Sequence, residues 1–171
     1  MQKSKYAIGI TGHRSLPAGS LSALTAELKR FFREKAAEHG ASNVTVLSSI
    51  AEGTDMLCAK LAYDEGFRLV VPLSLPATEY RKGFTETAAS EFDMLLSLAD
   101  DVFVAPFDEP PPENPSHGFC YRQAGLYVVK HCDVLLTIWD GVEKDTPDGA
   151  GTWETVKLAR GLGKPIHRIA V

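Results

Sequence analysis

The sequence predicts an α/β domain in which a mostly parallel sheet of about six strands is covered by helices on both faces. Two observations lead to this fold class. Short apolar runs alternate along the chain with longer segments whose apolar residues recur every three to four positions. The apolar runs are nearly continuous, as expected for strands that are buried on both faces. Alternating strands and helices form parallel sheets through right-handed crossovers.

Length and composition narrow the class of protein. The 171 residues suit one domain, so residues 1–171 are expected to form a single unit. A formal net charge of −4 gives no electrostatic support to nucleic-acid binding, and a nucleic-acid partner is therefore not expected. No apolar run approaches membrane length, and the first residues do not resemble a signal peptide, so no membrane association is expected.

The three cysteines, Cys58, Cys120 and Cys132, form no CxxC motif and no even disulfide framework. We interpret them as buried, reduced thiols, and the protein as cytoplasmic. The five histidines form no pair at the spacing of metal ligands. The sequence therefore predicts no metal site and no required cofactor.

The predicted strands are the short apolar runs at residues 6–10, 44–47, 67–71, 102–104, 134–138 and 165–171. The predicted helices are the amphipathic segments at 21–38, 56–65, 85–99 and 117–130, with a last one from 152 onward. Pro72 and Pro76 are expected to end the third strand. Residues 78–84 are predicted to be a loop, either a lid over a ligand or a solvated connection. The proline-rich segment 106–115 is interpreted as a stiff connector within one domain.

The segment 134–161 has the order strand, glycine-rich loop, helix. Gly149 and Gly151 lie in the loop, and the helix is predicted to begin at Thr152. In this order, bare backbone N–H groups and the positive end of the helix dipole converge on one point, which favours a phosphate or another anion. The alternative is a turn that joins strand to helix without a ligand, because the segment lacks the P-loop lysine and the GxGxxG fingerprint.

The loop after the first strand carries Gly12, His13 and Arg14. Open α/β sheets bind ligands at the carboxyl ends of their strands, and a guanidinium at that edge can bind a phosphate through two parallel hydrogen bonds. The alternative is that His13 and Arg14 are solvated loop residues.

The loop after the second strand repeats this arrangement. Ser49, Gly53 and Thr54 offer hydroxyl and backbone donors to an anion. Asp55 lies in the first turn of the following helix, where a carboxylate either stabilises the helix dipole or takes part in catalysis.

Four further residues are candidates near the same edge. Arg122, near the start of the predicted helix at 117–130, either reaches a ligand or faces water. Trp139 can stack on a base, but packing in the core is the alternative. Asp140 can accept hydrogen bonds from ribose hydroxyls, or it forms a turn with Gly141.

Three motifs at these strand ends, GITGHR at 9–14, SSIAEGTD at 48–55, and WDG with GAGTWETV within 139–156, together resemble the SLOG superfamily of Rossmann-like proteins. The resemblance covers most of the chain. It implies a Rossmann-like three-layer domain that binds nucleotides or nucleotide-derived ligands at the carboxyl edge of the sheet. It also implies that the ligand contacts Gly12, His13, Arg14, Gly53, Thr54, Gly151 and Thr152.

One branch of that superfamily, the LOG phosphoribohydrolases, carries the motif PGGxGTxxE with a catalytic glutamate. Here Asp148 replaces the first glycine, and Thr155 stands where the final glutamate belongs. Glu154 comes one residue earlier, which rotates it by about 100° around the helix. The departure favours the shorter GGT-x-E form of the non-enzymatic relatives, with Gly149 displaced.

We therefore expect a protein that binds a phosphorylated nucleotide, similar to ADP-ribose or a nucleoside monophosphate, as a sensor or carrier. One alternative is a LOG-type N-glycosidic hydrolase with Asp55 or Glu154 as the catalytic carboxylate. A second is DprA-like binding of single-stranded DNA. A homo-oligomer is expected by analogy alone. The predicted ligand-binding residues are Gly12, His13, Arg14, Ser49, Gly53, Thr54, Asp55, Arg122, Asp140, Gly141, Gly149, Gly151, Thr152 and Glu154.

Overall fold

The computed structural model describes residues 5–171, which alternate between strands and helices. The strands are β1 (Tyr6–Gly12), β2 (Val44–Leu47), β3 (Arg68–Leu73), β4 (Asp101–Val104), β5 (Val134–Ile138) and β6 (Ile166–Ile169). The helices are α1 (Leu21–His39), α2 (Thr54–Asp64), α3 (Ala77–Arg81), α4 (Glu86–Leu98), α5 (His117–His131) and α6 (Thr152–Gly161). None of these helices is both long and apolar enough to cross a membrane.

All six strands are parallel and form one sheet in the order β4-β3-β2-β1-β5-β6. The chain first moves outward from β1 to β4, then returns and continues on the other side of β1 with β5. The order therefore reverses between β1 and β5, and open α/β sheets bind ligands beyond the carboxyl ends of the strands at such a switch point. The predicted fold class, a Rossmann-like parallel sheet with helices on both faces, is confirmed.

The sheet is buried on both faces because the two directions of crossover place helices on opposite sides. On one face α1, α2 and α4 pack against Ile8 and Leu69 through side chains such as Phe32 and Phe92. On the other face α5 and α6 cover β5, with Leu135 against Val128 and Val156. Every residue of β5 is buried, in agreement with a sequence that is apolar except for Thr137. Each fully buried Val, Leu or Ile side chain contributes about 1.5–3 kcal/mol.

Pro72 lies inside β3 and does not end it, contrary to the prediction. The carbonyl of Pro72 accepts a hydrogen bond from the Ser49 hydroxyl, which shows that this residue faces the β2 side of the strand. The β2 ladder pairs β3 only as far as Val70, so a proline at this position removes no hydrogen bond from the sheet. Strand β3 can therefore continue to Leu73.

Residues 77–81 form the short helix α3, where the sequence predicted a loop. Tyr80 is buried against Phe84 and Phe92, with ring centroids 5.0 and 5.6 Å away. Arg81 makes a double hydrogen bond with Asp93 of α4. Tyr80 and Arg81 thus attach the segment to α4 and its surroundings, whereas Lys82 is exposed and pairs with Glu79 of the same segment.

Candidate functional site

A cavity of about 330 Å³ opens at the carboxyl ends of β1, β2 and β3, next to the switch point. Helix α5 and the first turn of α6 close its other sides. The structure brings seven of the predicted site residues to its wall: Gly12, His13, Arg14, Ser49, Asp55, Gly151 and Thr152. These residues come from loops that are far apart in the sequence, so the topology of the sheet assembles them.

Gly12 allows the start of α2 to pack directly on the end of β1. A Cβ atom at this position would lie 2.4 Å from the Thr54 hydroxyl oxygen and 2.7 Å from the Ile138 carbonyl oxygen. The Thr54 N–H and hydroxyl both donate to the His13 carbonyl, at 3.1 and 3.0 Å. Gly53, with φ +81°, passes equally close to the Arg14 backbone. Thr54 and Gly53 therefore support the loop from behind and do not line the cavity.

Arg14 holds an exposed positive charge at the edge of the cavity. Its guanidinium lies over the ring of Tyr121, 5.3 Å from the ring centroid. Within residues 5–171 it forms no ion pair with a carboxylate. The cation–π contact orients the side chain and leaves its hydrogen-bond donors free for an anion.

Helix α6 begins at the cavity with no side chain capping its first turn. Gly151 is the N-cap residue, and its φ of +119° is a conformation that glycine adopts readily. Gly151, Thr152 and Thr155 all border the cavity. The free N–H groups and the positive end of the helix dipole therefore meet the same space as the Arg14 guanidinium.

Asp55 is the acidic group of the cavity wall and is only 8% exposed. Its carboxylate accepts a hydrogen bond from the Ala51 N–H at 3.3 Å. Burial raises the pKa of Asp55 to about 7, although the Ala51 hydrogen bond and the charge of Arg14 act in the opposite direction. A carboxyl group in this state can either donate or accept a hydrogen bond near neutral pH.

A second cavity of about 230 Å³ adjoins the first and shares His13, Gly151 and Thr152 with it. Asp140 lies in this second cavity, next to His13. The Val142 N–H donates to the Asp140 carboxylate at 2.9 Å, and this hydrogen bond lowers the pKa of Asp140. This is the hydrogen bond of a turn, one of the two roles that the sequence allowed.

Trp139 is 3% exposed and its ring stacks on Trp153, with centroids 5.8 Å apart. Of the two roles that the sequence allowed for Trp139, its position agrees with packing in the core and not with stacking on a base. Gly141, with φ +87°, lies against the Arg168 side chain and borders neither cavity.

Three other predicted residues do not reach the main cavity. Glu154 is buried, accepts a hydrogen bond from the Thr146 N–H at 3.2 Å and pairs with Lys157 at 2.9 Å. Arg122 pairs with Glu109 at 3.6 Å, and its side chain packs beside Gly149. The two candidate catalytic carboxylates, Asp55 and Glu154, thus do not share one cavity. Sequence spacing alone could not reveal this, because the direction of Glu154 depends on the loop that it anchors.

The structure adds cavity residues that the sequence interpretation missed, among them Ser74, Tyr80 and Tyr121. Ser74 directly follows β3, so the rule that selected the other strand ends applies to it as well. The sequence does not point to Ser74, because Pro72 predicts an earlier end of the strand. No group of three or more metal-ligating side chains is found within the described residues 5–171.

Two solved structures are similar to this chain, whereas comparisons of its sequence find no relative. No family model matches the sequence, and no curated protein matches it significantly. The structure of DNA processing protein A (DprA) from Streptococcus pneumoniae is similar, with a TM-score of 0.62 and 13% identity over 98% of this chain and 51% of that one. The structure of DNA processing protein A from Helicobacter pylori, described with a single-stranded DNA binding mode, is also similar. Its TM-score is 0.58 and its sequence identity is 12%, and the match covers 96% of this chain and 65% of that one.

The chain thus spans about half to two thirds of the length of these two proteins. At such low identity the likeness concerns the fold alone. Like these two structures, the chain has a Rossmann-like fold, which agrees with the fold that the sequence motifs implied.

Proposed function

We propose that this protein binds the phosphate group of a nucleotide or nucleotide-derived ligand in the main cavity. The observation that carries the proposal is the convergence of the Arg14 guanidinium and the uncapped start of α6 on one cavity at the switch point. Each of these features attracts anions, and together they surround a phosphate with charge-assisted and backbone hydrogen bonds.

The cavity favours a protein that binds its ligand without hydrolysing it, as a sensor or carrier does. Glycoside hydrolases commonly use a pair of carboxyl groups on opposite sides of the scissile bond. Asp55 borders the cavity, whereas Glu154 is held by Thr146 and Lys157 outside it. The position of Glu154 therefore favours a role in fixing the loop before α6 over a role in catalysis.

A thermal-shift screen followed by calorimetric titration tests the proposal. AMP, GMP, ADP, ATP, ADP-ribose and NAD are compared with inorganic phosphate, since a ligand that binds only the folded state raises the melting temperature. We expect at least one nucleotide to bind and Arg14→Ala to weaken it tenfold or more, as expected for loss of a charge-assisted hydrogen bond. Arg33→Ala, which removes an exposed arginine of α1, is the matched control.

Assay of free base released from each bound nucleotide separates binding from hydrolysis. A binding protein releases none. Release that is lost in Glu154→Gln would support the hydrolase instead, and absence of binding by every nucleotide in a folded sample would overturn the proposal.

Binding of single-stranded DNA is the second candidate, because the similar protein from Helicobacter pylori is described with that activity. The same phosphate-binding features serve either ligand, but the net charge of −4 opposes a long polyanion. The salt dependence of binding distinguishes them. Each phosphate contact with a single strand contributes a slope of about −0.7 to the plot of log K against log salt. A slope several times larger than −0.7 would favour DNA. A slope of about −0.7, which corresponds to a single phosphate contact, would favour the nucleotide.

A further inference from the structure

The main cavity has a second end, at the carboxyl terminus of β3, which phosphate binding leaves unused. Ser74 and Tyr80 form this end and are 4% and 5% exposed. The Tyr80 hydroxyl approaches the Ser74 hydroxyl, yet the Ser74 Oγ atom has no hydrogen-bond partner of normal geometry. A buried hydroxyl without a partner is unfavourable unless a ligand satisfies it.

The distance between the two ends of the cavity restricts the size of the ligand. Arg14 follows β1 and Ser74 follows β3, and β2 lies between these strands. Two strand spacings separate the backbones of these two residues by about 10 Å. This separation matches the length from the phosphate to the far edge of the base in an extended nucleoside 5′-monophosphate.

The charges of the wall restrict the chemistry of the second end. Among the described residues that border the cavity, Arg14 is the only arginine or lysine. Asp55 lies after β2, between the two ends, and its carboxyl group disfavours a second phosphate beyond it. The Ser74 hydroxyl can both donate and accept, and burial raises the pKa of Tyr80, which keeps its hydroxyl protonated. This end therefore suits an uncharged group with hydrogen-bond donors and acceptors.

We infer that Ser74, beside Tyr80, binds the edge of the base of a nucleoside 5′-monophosphate whose phosphate lies against Arg14. This assignment rests on the proposed function. It adds an orientation of the ligand along the edge of the sheet and a residue that determines its specificity.

Titration calorimetry with matched ligands tests the assignment. AMP, GMP, CMP and UMP are compared with ribose 5-phosphate, which has the phosphate and sugar but no base. We expect the preferred monophosphate to bind at least tenfold tighter than ribose 5-phosphate. Ser74→Ala should weaken the monophosphate by about tenfold, the effect of one lost hydrogen bond, and leave ribose 5-phosphate unchanged. Arg14→Ala should weaken both ligands.

Thr137→Val is the matched control, because Thr137 carries the other buried side-chain hydroxyl without a partner among residues 5–171 and does not border the cavity. Neither Ser74→Ala nor Thr137→Val removes a hydrogen bond of normal geometry, and each removes an unsatisfied buried hydroxyl, so both variants should keep or exceed the wild-type melting temperature. Tyr80→Phe, which removes only the neighbouring hydroxyl, provides a second variant that should also affect the monophosphate selectively.

Equal affinities for the monophosphates and ribose 5-phosphate would overturn the base subsite and leave the phosphate site intact. The same conclusion follows if Ser74→Ala affects both ligands equally or neither of them. If no nucleotide and no sugar phosphate binds the folded wild type, the proposed function fails and the base subsite fails with it.

Discussion

The backbone N–H of Asp140 donates a 3.1 Å hydrogen bond to Nε2 of His13. This bond joins the loops after β5 and β1, on the two sides of the switch point. Since a backbone N–H can only donate, Nε2 carries no proton in this arrangement. The Asp140 carboxylate oxygen, 3.3 Å from the same nitrogen, is then a neighbour of His13 and not its ion-pair partner.

The neutral His13 ring is therefore expected to carry its proton on Nδ1. Long-range proton–nitrogen NMR spectra distinguish the two tautomers through the shifts of the ring nitrogens. His13→Ala should lower the free energy of unfolding by about 1 kcal/mol, since it removes one hydrogen bond. Detection of the Nε2–H tautomer would contradict the assignment of this bond.

Close packing at Gly12 should make that position intolerant of any side chain. Gly12→Ala places a methyl group 2.4 Å from the Thr54 hydroxyl oxygen, and we expect it to destabilise the protein by about 2 kcal/mol or more. Gly161→Ala is the matched control, because a Cβ atom in this last residue of α6 would meet no atom within 4 Å. It should be neutral or stabilise by up to about 1 kcal/mol. Denaturant unfolding measures both, and equal effects would refute the packing explanation.

Asp55 should make stability fall as the pH rises. Its pKa is about 7 in the folded state and 3.8 in the absence of burial, so between these values the folded state holds the extra proton. The free energy of unfolding therefore decreases from about pH 4 to pH 7, by on the order of 4 kcal/mol, and the contribution is constant above that range. Asp55→Asn should remove this slope and be more stable than the wild type at pH 8.

Denaturant titrations at several pH values measure the Asp55 contribution as the difference between variant and wild type. Asp64→Asn, at an exposed position in α2, should keep the wild-type pH dependence. A wild-type slope that persists in Asp55→Asn would assign the effect to other groups.

The loop before α6 rests on the first turn of α5 through Asp148 and Gly118. A Cβ atom on Gly118 would lie 2.2 Å from an Asp148 carboxylate oxygen. Gly118→Ala should therefore displace the loop and increase proteolytic cleavage within residues 142–150. Adding Asp148→Gly should restore resistance to the protease, because it removes the clashing side chain. Failure of this second change to restore resistance would place the cause elsewhere.

The sequence predicted the fold class and the six strands because buried parallel strands leave a local apolar signature. It did not predict that Pro72 continues β3, since this depends on where β2 stops pairing. The same limitation applies to Glu154. Helical periodicity places it on α6, but its direction is determined by hydrogen bonding to Thr146, a contact that no local pattern encodes.

The walls of the main cavity come from residues that extend from Ile10 to Thr155. During synthesis, the ribosome must therefore release α6 before the cavity can exist. A nascent chain that ends before this helix has most of the sheet but lacks one side of the site. Any ligand of this cavity would therefore stabilise only the last stage of folding, and a truncated translation product would gain no protection from it.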